Sequence, residues 1–469
     1  MLSVPLAGVI IVSTCPEPPR EAAPLEIKER EAPTLRRARQ VCPYYITGGG
    51  PRQAVRDRSR LRPCASGAGS RALGGAGQVP RSAPRREESA AGPPNREAAI
   101  ALPDADPGGD RMNVERGIQA LERHWQVALP RAFARLYEAC AQPFLSPCEF
   151  LGLEEMLEDA ERWPGMLPQF LPFGHDGDED FYGFYVPQTL SGRDPPVLFW
   201  NHEYDHYYPI ASGFSTFLPW CVVNGRYLAQ DELEEGDPGR EREEEERREF
   251  VRRIGLPEEL ATEPVPRNDR ELYERLVALD CQGTHAVAQL GSVFLSRGDL
   301  ERARDFFVRA SEATPWFADP YYLLAESYRR QGAFPDAVVR WCRVLELPIA
   351  LSTRTTLYDL GIDHPEAEVY QETVDRLEEF GDLVRGDACR VARDILRLDP
   401  FEPAERLALA ERLTLDGDLA GVERELLNAL TLATESADRA RAYEGLIALY
   451  ESTGRTREAA LCRRDAAME

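Results

Sequence analysis

The sequence has almost no lysine, no paired cysteine motif and no long apolar run. Lys28 is the only lysine among 56 Lys and Arg residues, which indicates a GC-rich genome more than a physical requirement. The ten cysteines include no Cys-x-x-Cys pair, so neither a zinc knuckle nor a disulfide framework is indicated. We expect buried, reduced thiols in a cytoplasmic protein. No stretch approaches the roughly 18 apolar residues of a transmembrane helix, so no membrane span is expected.

Residues 1–111 differ in composition from the rest of the chain. They hold 17 Lys and Arg against 12 Asp and Glu, a net charge of +5, and lack any apolar period. Such a segment buries too little apolar surface to offset its ordering entropy, which predicts disorder. Alternatively it is not translated, because a purine-rich ribosome-binding sequence can encode Gly108 to Arg111, just before Met112. Export is not expected. The apolar start lacks the basic region of a secretion signal, and Thr14 is bulkier than the small residue that usually precedes a lipidated cysteine, here Cys15.

The remainder of the chain is strongly acidic. The formal net charge of the whole chain is −24, so residues 112–469 carry −29. Such a surface repels nucleic-acid and membrane phosphates and attracts basic proteins through screened, long-range forces. We therefore expect a protein partner, and neither direct nucleic-acid binding nor membrane binding.

Residues 112–235 are predicted to form an α+β domain that opens with helices. Ile118, Leu121 and Trp125 share one face of a first helix. A second helix follows the break at Leu129-Pro130, and its apolar side chains recur with helical spacing. They are Phe133, Leu136, Tyr137 and Cys140. A third, acidic helix is predicted over Glu154–Trp163.

The second half of this domain has the pattern of strands and tight turns. Strands are predicted at Phe170–Phe173 and Tyr182–Val186, separated by a Gly/Asp turn. The stretch "PVLFWNHEYDHYYPIA" predicts another strand pair with a polar tip. The closing stretch "SGFSTFLPWCV" returns to helix, and Ser212 and Gly213 are expected to cap it.

The strand pair contains His202-Glu203-Tyr204-Asp205-His206, which fits the H-E-x-x-H pattern of zinc peptidases. That pattern binds zinc only on a helix, where both imidazoles share one face. Here the neighbouring residues are poor helix formers, and Pro209 excludes the α conformation before it. No third ligand is evident, since the other histidines of the domain are His124 and His175. A zinc hydrolase at His202 and His206 is therefore the least favoured alternative, and no metal is expected.

The turn "DGDED" also fits part of a metal-binding pattern. Asp176, Asp178 and Asp180 have the 1-3-5 spacing of a calcium loop, but its sixth position holds Phe181 and its twelfth Pro187. A solvated hairpin tip is the better interpretation. The sequence contains no glycine-rich phosphate loop and no Gly-x-Ser-x-Gly elbow. We expect no cofactor and no catalysis.

The same residues carry a family resemblance. Trp125, Leu129-Pro130, Phe133 and Leu136-Tyr137 resemble the entry helices of the SUKH superfamily, the Smi/Knr-type domains. "LPFGHDGDEDFYGF" resembles the central hairpin of that family, and "PVLFWNHE" with "IASGFSTFLPW" resembles its last strands and closing helix. The aromatic-rich "EYDHYYP" departs from the pattern. The resemblance implies a non-catalytic protein-binding module, similar to immunity proteins that neutralise toxins, often nucleases, or to signalling scaffolds.

The C-terminal part of the chain is predicted to be helical and repetitive. Residues 236–283 form a charged helical linker, and beyond residue 283 the chain repeats every 34 residues, the tetratricopeptide period. Two units share small and aromatic positions: Leu290, Gly291, Phe294, Gly298, Ala303, Phe307, Ala310 and Pro315, then Leu324, Ala325, Tyr328, Gly332, Ala337, Trp341 and Val344. Similar positions recur at 409–429 and 443–459, whereas 352–402 is degenerate. The pattern predicts an all-α tetratricopeptide solenoid over 284–469.

Two surfaces are candidates for binding a basic protein, such as a nuclease-type toxin. The first comprises the acidic hairpin tips, with Asp176, Asp178, Glu179, Asp180, Glu203 and Asp205. The second is one helix face of the second repeat, with Asp319, Tyr322, Glu326 and Arg329. For both, an ordinary solvated surface is the alternative. A regulatory tetratricopeptide scaffold unrelated to toxins is the alternative function.

Overall fold

Strand-forming segments between residues 144 and 211 pair in chain order into one antiparallel sheet of six strands. The computed structural model describes residues 109–468 except 141–142, 160–161, 178, 188–193, 203–204, 233–237 and 354–368. The strands are β1 (Phe144–Leu145), β2 (Cys148–Phe150), β3 (Phe170–His175), β4 (Phe181–Tyr185), β5 (Val197–Asn201) and β6 (His206–Ala211). The expectations for residues 1–108 lie outside the described residues.

Alternation along each strand sends apolar side chains to both faces of the sheet. On β4, Tyr182 and Phe184 point to one face, where they contact Phe217 and Phe133. Phe181 and Tyr185 point to the other face and belong to a different apolar cluster. Both faces are therefore buried, which is unusual for an antiparallel sheet and requires a covering layer on each side.

The first face is covered by helices of the same domain. They are α1 (Gly109–Trp125), α2 (Arg131–Ala139), α3 (Leu153–Leu157) and α4 (Phe214–Glu232). Phe133 of α2 contacts Phe173, Phe184 and Phe214 with ring centroids 5.0–6.1 Å apart. The predicted first, second and closing helices are thus present, with α1 beginning three residues before Met112.

Two local predictions are wrong, and two strands were not predicted. The third helix ends at Leu157 rather than Trp163, because Asp159 adopts a left-handed φ of 48° that a helix does not tolerate. Strands β1 and β2 are too short for a period to be visible in the sequence. The N-terminus of α4 is capped by Asp194, whose carboxylate accepts the Phe214 amide at 3.0 Å. Of the two expected caps, Ser212 donates its hydroxyl to Asp280 instead, whereas Gly213 directly precedes α4 and its carbonyl accepts the Phe217 amide.

The charged segment after α4 consists of helices that pack back onto the domain. They are α5 (Pro238–Arg253), α6 (Glu259–Thr262) and α7 (Asp269–Leu279). Arg226 of α4 donates to the carbonyls of Leu260 and Glu263 at 3.1 and 2.8 Å, and Tyr227 donates to Asp269 at 2.6 Å. The predicted linker is therefore packed against α4 of the domain at these contacts.

The remainder is all helical. The helices are α8 (Thr284–Ser296), α9 (Leu300–Ala313), α10 (Asp319–Gln331), α11 (Phe334–Val344), α12 (Val369–Glu379), α13 (Arg390–Ile395), α14 (Pro403–Asp416), α15 (Leu419–Leu432), α16 (Ser436–Ser452) and α17 (Thr456–Met468). Four pairs of neighbouring helices, starting with α8, α10, α14 and α16, each turn at a glycine with φ between 74° and 81°. These are Gly298, Gly332, Gly417 and Gly454. Glycine enters this left-handed conformation at no steric cost, which explains its recurrence at the predicted positions.

The C-terminal helices cover the second face of the sheet. One apolar cluster joins side chains from β3 to β6 and the loop before β3 with side chains from α14 to α17. From the sheet side it includes Met166, Leu167, Phe170, Phe181, Tyr185, Leu198, Trp200 and Tyr207. From the helices it includes Leu407, Ala410, Val422, Leu426, Tyr443, Leu446, Tyr450 and Cys462. These described residues all belong to one compact unit, Asp104–Glu469.

The cysteines follow the sequence prediction only in part. Cys148, Cys221 and Cys462 are buried thiols, as expected. Cys342 and Cys389 form a disulfide across a sequence separation of 47 residues, and Cys281 is also disulfide-bonded. Pairing over such a distance leaves no local spacing signal in the sequence. Among the described residues, no helix is long and apolar enough to cross a membrane.

Candidate partner-binding surface

The two acidic hairpin tips lie at the same end of the sheet. Since the strands are antiparallel and paired in chain order, the β3–β4 turn and the β5–β6 turn leave the same edge. The first turn is closed by the Asp176 amide, which donates to the Asp180 carbonyl at 3.1 Å. The structure therefore brings together the two tips that the sequence singled out. Within them, Asp178 and Glu203 lie outside the described residues.

Asp180 fastens one tip to the other and is not an exposed acid. It is 5% exposed, and its carboxylate accepts from the His202 amide at 2.8 Å and the His202 ring at 2.7 Å. The Asn201 side chain donates to it at 2.8 Å. Burial raises the pKa of the Asp180 carboxyl, although these hydrogen bonds act in the opposite direction. The prediction that Asp180 is an exposed partner-binding acid is therefore wrong, because its side chain joins the two turns instead.

Asp205 is likewise engaged within the protein. It is half-buried, has a left-handed φ of 52°, and accepts from the Trp200 ring nitrogen at 2.7 Å. Burial raises the pKa of Asp205 to about 6, because the charged form loses its hydration. Burial also lowers the pKa of the adjacent His206 to about 4.

Among the described residues at this end, the acids that are exposed to solvent in whole or in part include Asp176, Glu179 and Glu149. Glu179 is exposed and Asp176 is partly exposed. Glu149 of β2 lies beside β3, with its carboxylate 3.7 Å from the His175 ring. We call Glu149, Asp176 and Glu179 the acidic sheet end. Glu149 was not predicted, because its strand was not recognised and its pairing with His175 was therefore unknown.

The helix face proposed for the second repeat is buried. Asp319, Tyr322 and Glu326 of α10 are 0%, 2% and 5% exposed. Glu326 forms ion pairs with Arg329 at 2.8 Å and with Arg376 of α12 at 3.6 Å. The spacing correctly places these residues on one face, but α12 packs against α10 and that face is not a free groove. The prediction of a solvated or ligand-binding surface at Asp319, Tyr322 and Glu326 is therefore wrong.

The two histidines of the H-E-x-x-H pattern lie on a turn and a strand, as the sequence predicted. His206 begins β6, and His202 lies in the preceding turn with its ring nitrogen bonded to Asp180. Helical i, i+4 presentation of the two imidazoles is therefore absent. Over the described part of the chain, no group of three or more His, Cys, Asp and Glu side chains could hold a metal ion.

Sequence reasoning missed the polar contacts between the sheet domain and the last helix pair. Arg162 is 4% exposed and donates to Asp465 of α17 at 3.0 Å. The same guanidinium donates to the carbonyls of Met166 at 2.6 Å and Phe170 at 3.0 Å. Burial raises the pKa of Asp465 while Arg162 opposes that shift, so the pair is stable only while both members are present.

Further hydrogen bonds join the sheet domain to Thr353 and to α15, α16 and α17. Gln169 donates to Glu423 at 2.6 Å and to the Tyr450 hydroxyl at 3.1 Å. Arg457 donates to the Trp125 carbonyl at 2.8 Å. On β6, the Tyr207 carbonyl accepts the Thr353 hydroxyl at 2.7 Å. A solitary arginine or glutamine in a loop carries no sequence signal for a partner hundreds of residues away.

Comparison with known proteins bears on the sheet domain alone. No curated protein matches the chain. The SMI1 / KNR4 family model (SUKH-1) matches residues 115–220. That range begins within α1 and ends within α4, and it contains all six strands. Residues 115–220 are therefore a SUKH domain, as the resemblance implied.

Proposed function

We propose that this chain is a cytoplasmic, non-catalytic protein-binding protein of the immunity type, whose partner is a basic protein such as a nuclease-type toxin. The observation that carries the proposal is the SUKH domain at residues 115–220, a family associated with partnerships between toxins and immunity proteins. The net charge of −24 supports a basic partner, since complementary fields accelerate encounter.

The acidic sheet end is the surface we favour for this partner. Both faces of the sheet are buried, one under α1, α2 and α4 and the other under α14 to α17. A partner that approaches the described part of the domain can therefore contact the ends of the sheet or the outer surfaces of the helices. At the hairpin end, Asp176 and Glu179 stand on a turn that Asp180 holds in place through His202.

The helical region fits a tetratricopeptide-type array in this proposal. Four helix pairs turn at glycines in the predicted positions. In the first pair, a Cβ on Gly291 would lie 2.6 Å from the Phe307 ring, so a small residue is needed where the two helices meet. The array would then support the SUKH domain from the side opposite its own helices, because the shared apolar cluster joins the two.

The test is capture of a partner from the native host by the intact chain and by a variant with a neutral sheet end. The variant combines Glu149→Gln, Asp176→Asn and Glu179→Gln, and it leaves Asp180 unchanged because that side chain holds the turns together. We expect the variant to lose most of the captured partner, and raised salt to weaken capture by the unchanged chain.

The matched control removes three exposed acids of α9, namely Glu301, Asp305 and Glu312, by Gln or Asn substitution. It has the same net charge as the first variant, so it separates a local effect from a general one. If both variants retain the partner equally at low and high salt, the acidic sheet end is not the binding surface. Equal loss from both variants would attribute binding to overall charge.

The enzyme alternative has a separate measurement. His202 lies in a turn with its ring bonded to Asp180, and His206 begins β6, so the two imidazoles do not share one helix face. We therefore propose that the pair binds no zinc. Elemental analysis of the purified protein tests this, and one equivalent of zinc that disappears in His202→Ala would establish the hydrolase alternative instead.

A further inference from the structure

The regular succession of helix pairs is interrupted between α11 and α14. In this part of the chain the described elements are α12, the six-residue α13 and three 3₁₀ turns, at Ile349–Leu351, Gly381–Leu383 and Asp387–Cys389. So short a helix is not stable by its own hydrogen bonds and depends on packing. Ala392 and Ile395 supply that packing within an apolar cluster that also contains Trp341 of α11.

The disulfide between Cys342 and Cys389 joins this irregular segment to α11. Cys342 lies in the last turns of α11, Cys389 immediately precedes α13, and their Cα atoms are 5.2 Å apart. Both residues are buried, at 0% and 1% exposure. The bond closes a loop across a sequence separation of 47 residues, which restricts the unfolded chain and stabilises the folded one.

We propose that Cys342 and Cys389 form a reversible, redox-sensitive staple that holds the segment 381–395 against α11. In the reduced form that segment keeps only its apolar contacts and opens more readily. The inference is independent of the proposed partner binding. It agrees with a cytoplasmic location, since disulfides of cytosolic proteins are usually transient or redox-sensing.

The chemistry is thiol–disulfide exchange with a small-molecule thiol, which reaches the buried bond when the segment 381–395 opens transiently. Two molecules of the thiol transfer two electrons and two protons to the staple. The Cys342–Cys389 bond breaks, two protein thiols form, and the small molecule leaves as its own disulfide. The reverse reaction, with a small-molecule disulfide as oxidant, restores the bond and releases two thiols.

The other buried thiols are poorly placed to exchange with this pair. Cys148, Cys221 and Cys462 lie outside the apolar cluster that contains Cys342 and Cys389. Burial raises the pKa of all three thiols, and that of Cys462 reaches about 12. Because the thiolate is the attacking species, these cysteines are slow nucleophiles at neutral pH.

Peptide mapping of the intact protein tests the bond directly. Trypsin cleaves after arginine and releases Trp341–Arg343 and Gly386–Arg390, each with one cysteine. After incubation with oxidised glutathione and alkylation, the two peptides should be recovered as one disulfide-linked species. After incubation with dithiothreitol, each should carry one alkyl group. Recovery of both peptides fully alkylated from the oxidised sample would overturn the proposal.

Stability measurements test the effect of the staple. Dithiothreitol should lower the Tm of the wild-type protein by about 5 °C, and oxidised glutathione should restore it. Hydrogen exchange across 381–395 should accelerate on reduction. The double variant Cys342→Ala and Cys389→Ala keeps the disulfide of Cys281, so its Tm should fall less than that of the wild type, and its exchange across 381–395 should not accelerate on reduction. A Tm that falls equally in the variant would contradict the proposal.

Discussion

The two faces of the sheet are covered in different ways. The face under α1, α2 and α4 is packed by aromatic rings, with Phe133, Phe173, Phe184 and Phe214 in mutual contact. The face under the C-terminal helices also has a large apolar cluster, but buried hydrogen bonds also join the sheet domain to those helices. The helices of the first face are close to the strands in sequence, whereas Arg162 and Asp465 are 303 residues apart.

This difference teaches what each kind of contact contributes. Apolar packing is non-directional, so it covers a face without selecting one arrangement of the covering helices. Hydrogen bonds such as those from Arg162 and Gln169 require particular geometry and select a single arrangement. We infer that the local helices find their place through the short connections of the chain, while the distant helices need polar contacts to set their position.

The largest expected effect comes from removing the C-terminal helices that cover the second face of the sheet. A fragment of residues 109–283 leaves Phe170, Phe181, Tyr185, Leu198, Trp200 and Tyr207 without their partners from α14 to α17. We expect the fragment to aggregate or to bind a hydrophobic dye, because a large apolar face contacts water. Coexpression with residues 284–469 should restore a soluble complex. A monomeric fragment with its own cooperative melting transition would show that the two parts fold separately.

The Arg162–Asp465 pair should produce the next largest effect. Asp465→Ala leaves a buried guanidinium without its counter-ion, and we expect a loss of about 3–5 kcal/mol in the free energy of unfolding. The double variant Arg162→Met with Asp465→Ala should be less destabilised than the sum of the single changes. Chemical denaturation measures both.

The control for this pair is Arg270–Glu274 on the surface of α7. Both of its side chains are close to half exposed, so Glu274→Ala should cost less than about 1 kcal/mol. If Asp465→Ala has an effect as small as that of Glu274→Ala, the buried pair does not hold the covering helices in place.

A smaller and pH-dependent effect is expected at Asp205. Its folded-state pKa of about 6 lies above its ordinary value near 4, so the folded state favours the protonated form. Asp205 therefore costs stability above pH 6, and the cost disappears as the pH falls through 6 to 4. Asp205→Asn removes this cost, still accepts from Trp200, and suits the left-handed φ of 52°.

We expect Asp205→Asn to stabilise the protein by about 2–3 kcal/mol at pH 7 and to match the wild type near pH 4. The measurement is denaturant unfolding of both proteins across this range. His206, whose pKa is lowered to about 4, contributes equally to both and cancels in the difference. A difference that is constant with pH would show that Asp205 is well solvated in the folded protein.

The smallest expected effect comes from a single hydrogen bond between Thr353 and strand β6. Thr353→Val removes the hydroxyl that donates to the Tyr207 carbonyl at 2.7 Å and keeps the shape of the side chain. We expect a loss of about 1–2 kcal/mol, because the buried Tyr207 carbonyl loses this donor. Thr414→Val, whose hydroxyl bonds to Ala410 within its own helix, is the control and should change stability less. If the two variants lose the same stability, the hydrogen bond from Thr353 to Tyr207 contributes no more than a bond within one helix.

The same comparison explains how far the sequence could predict the structure. Helices α1 and α2 and strands β3 to β6 were predicted because their apolar periods and turn residues are local properties. Strands β1 and β2 have two and three residues, too few for a period. At the binding surface, acidic composition located the tips, but it could not show that Asp180 bonds to His202 or that α12 covers Glu326. Those facts depend on distant parts of the chain.

The separation of Arg162 from Asp465 also bears on synthesis of the protein. A ribosome that adds about 5–20 residues per second needs roughly 15–60 s to proceed from one residue to the other. During that interval the strands of the SUKH domain can pair, while α17 does not yet exist. The second face of the sheet is therefore exposed on the nascent chain, where it can bind a chaperone or another nascent chain before its own last helices emerge.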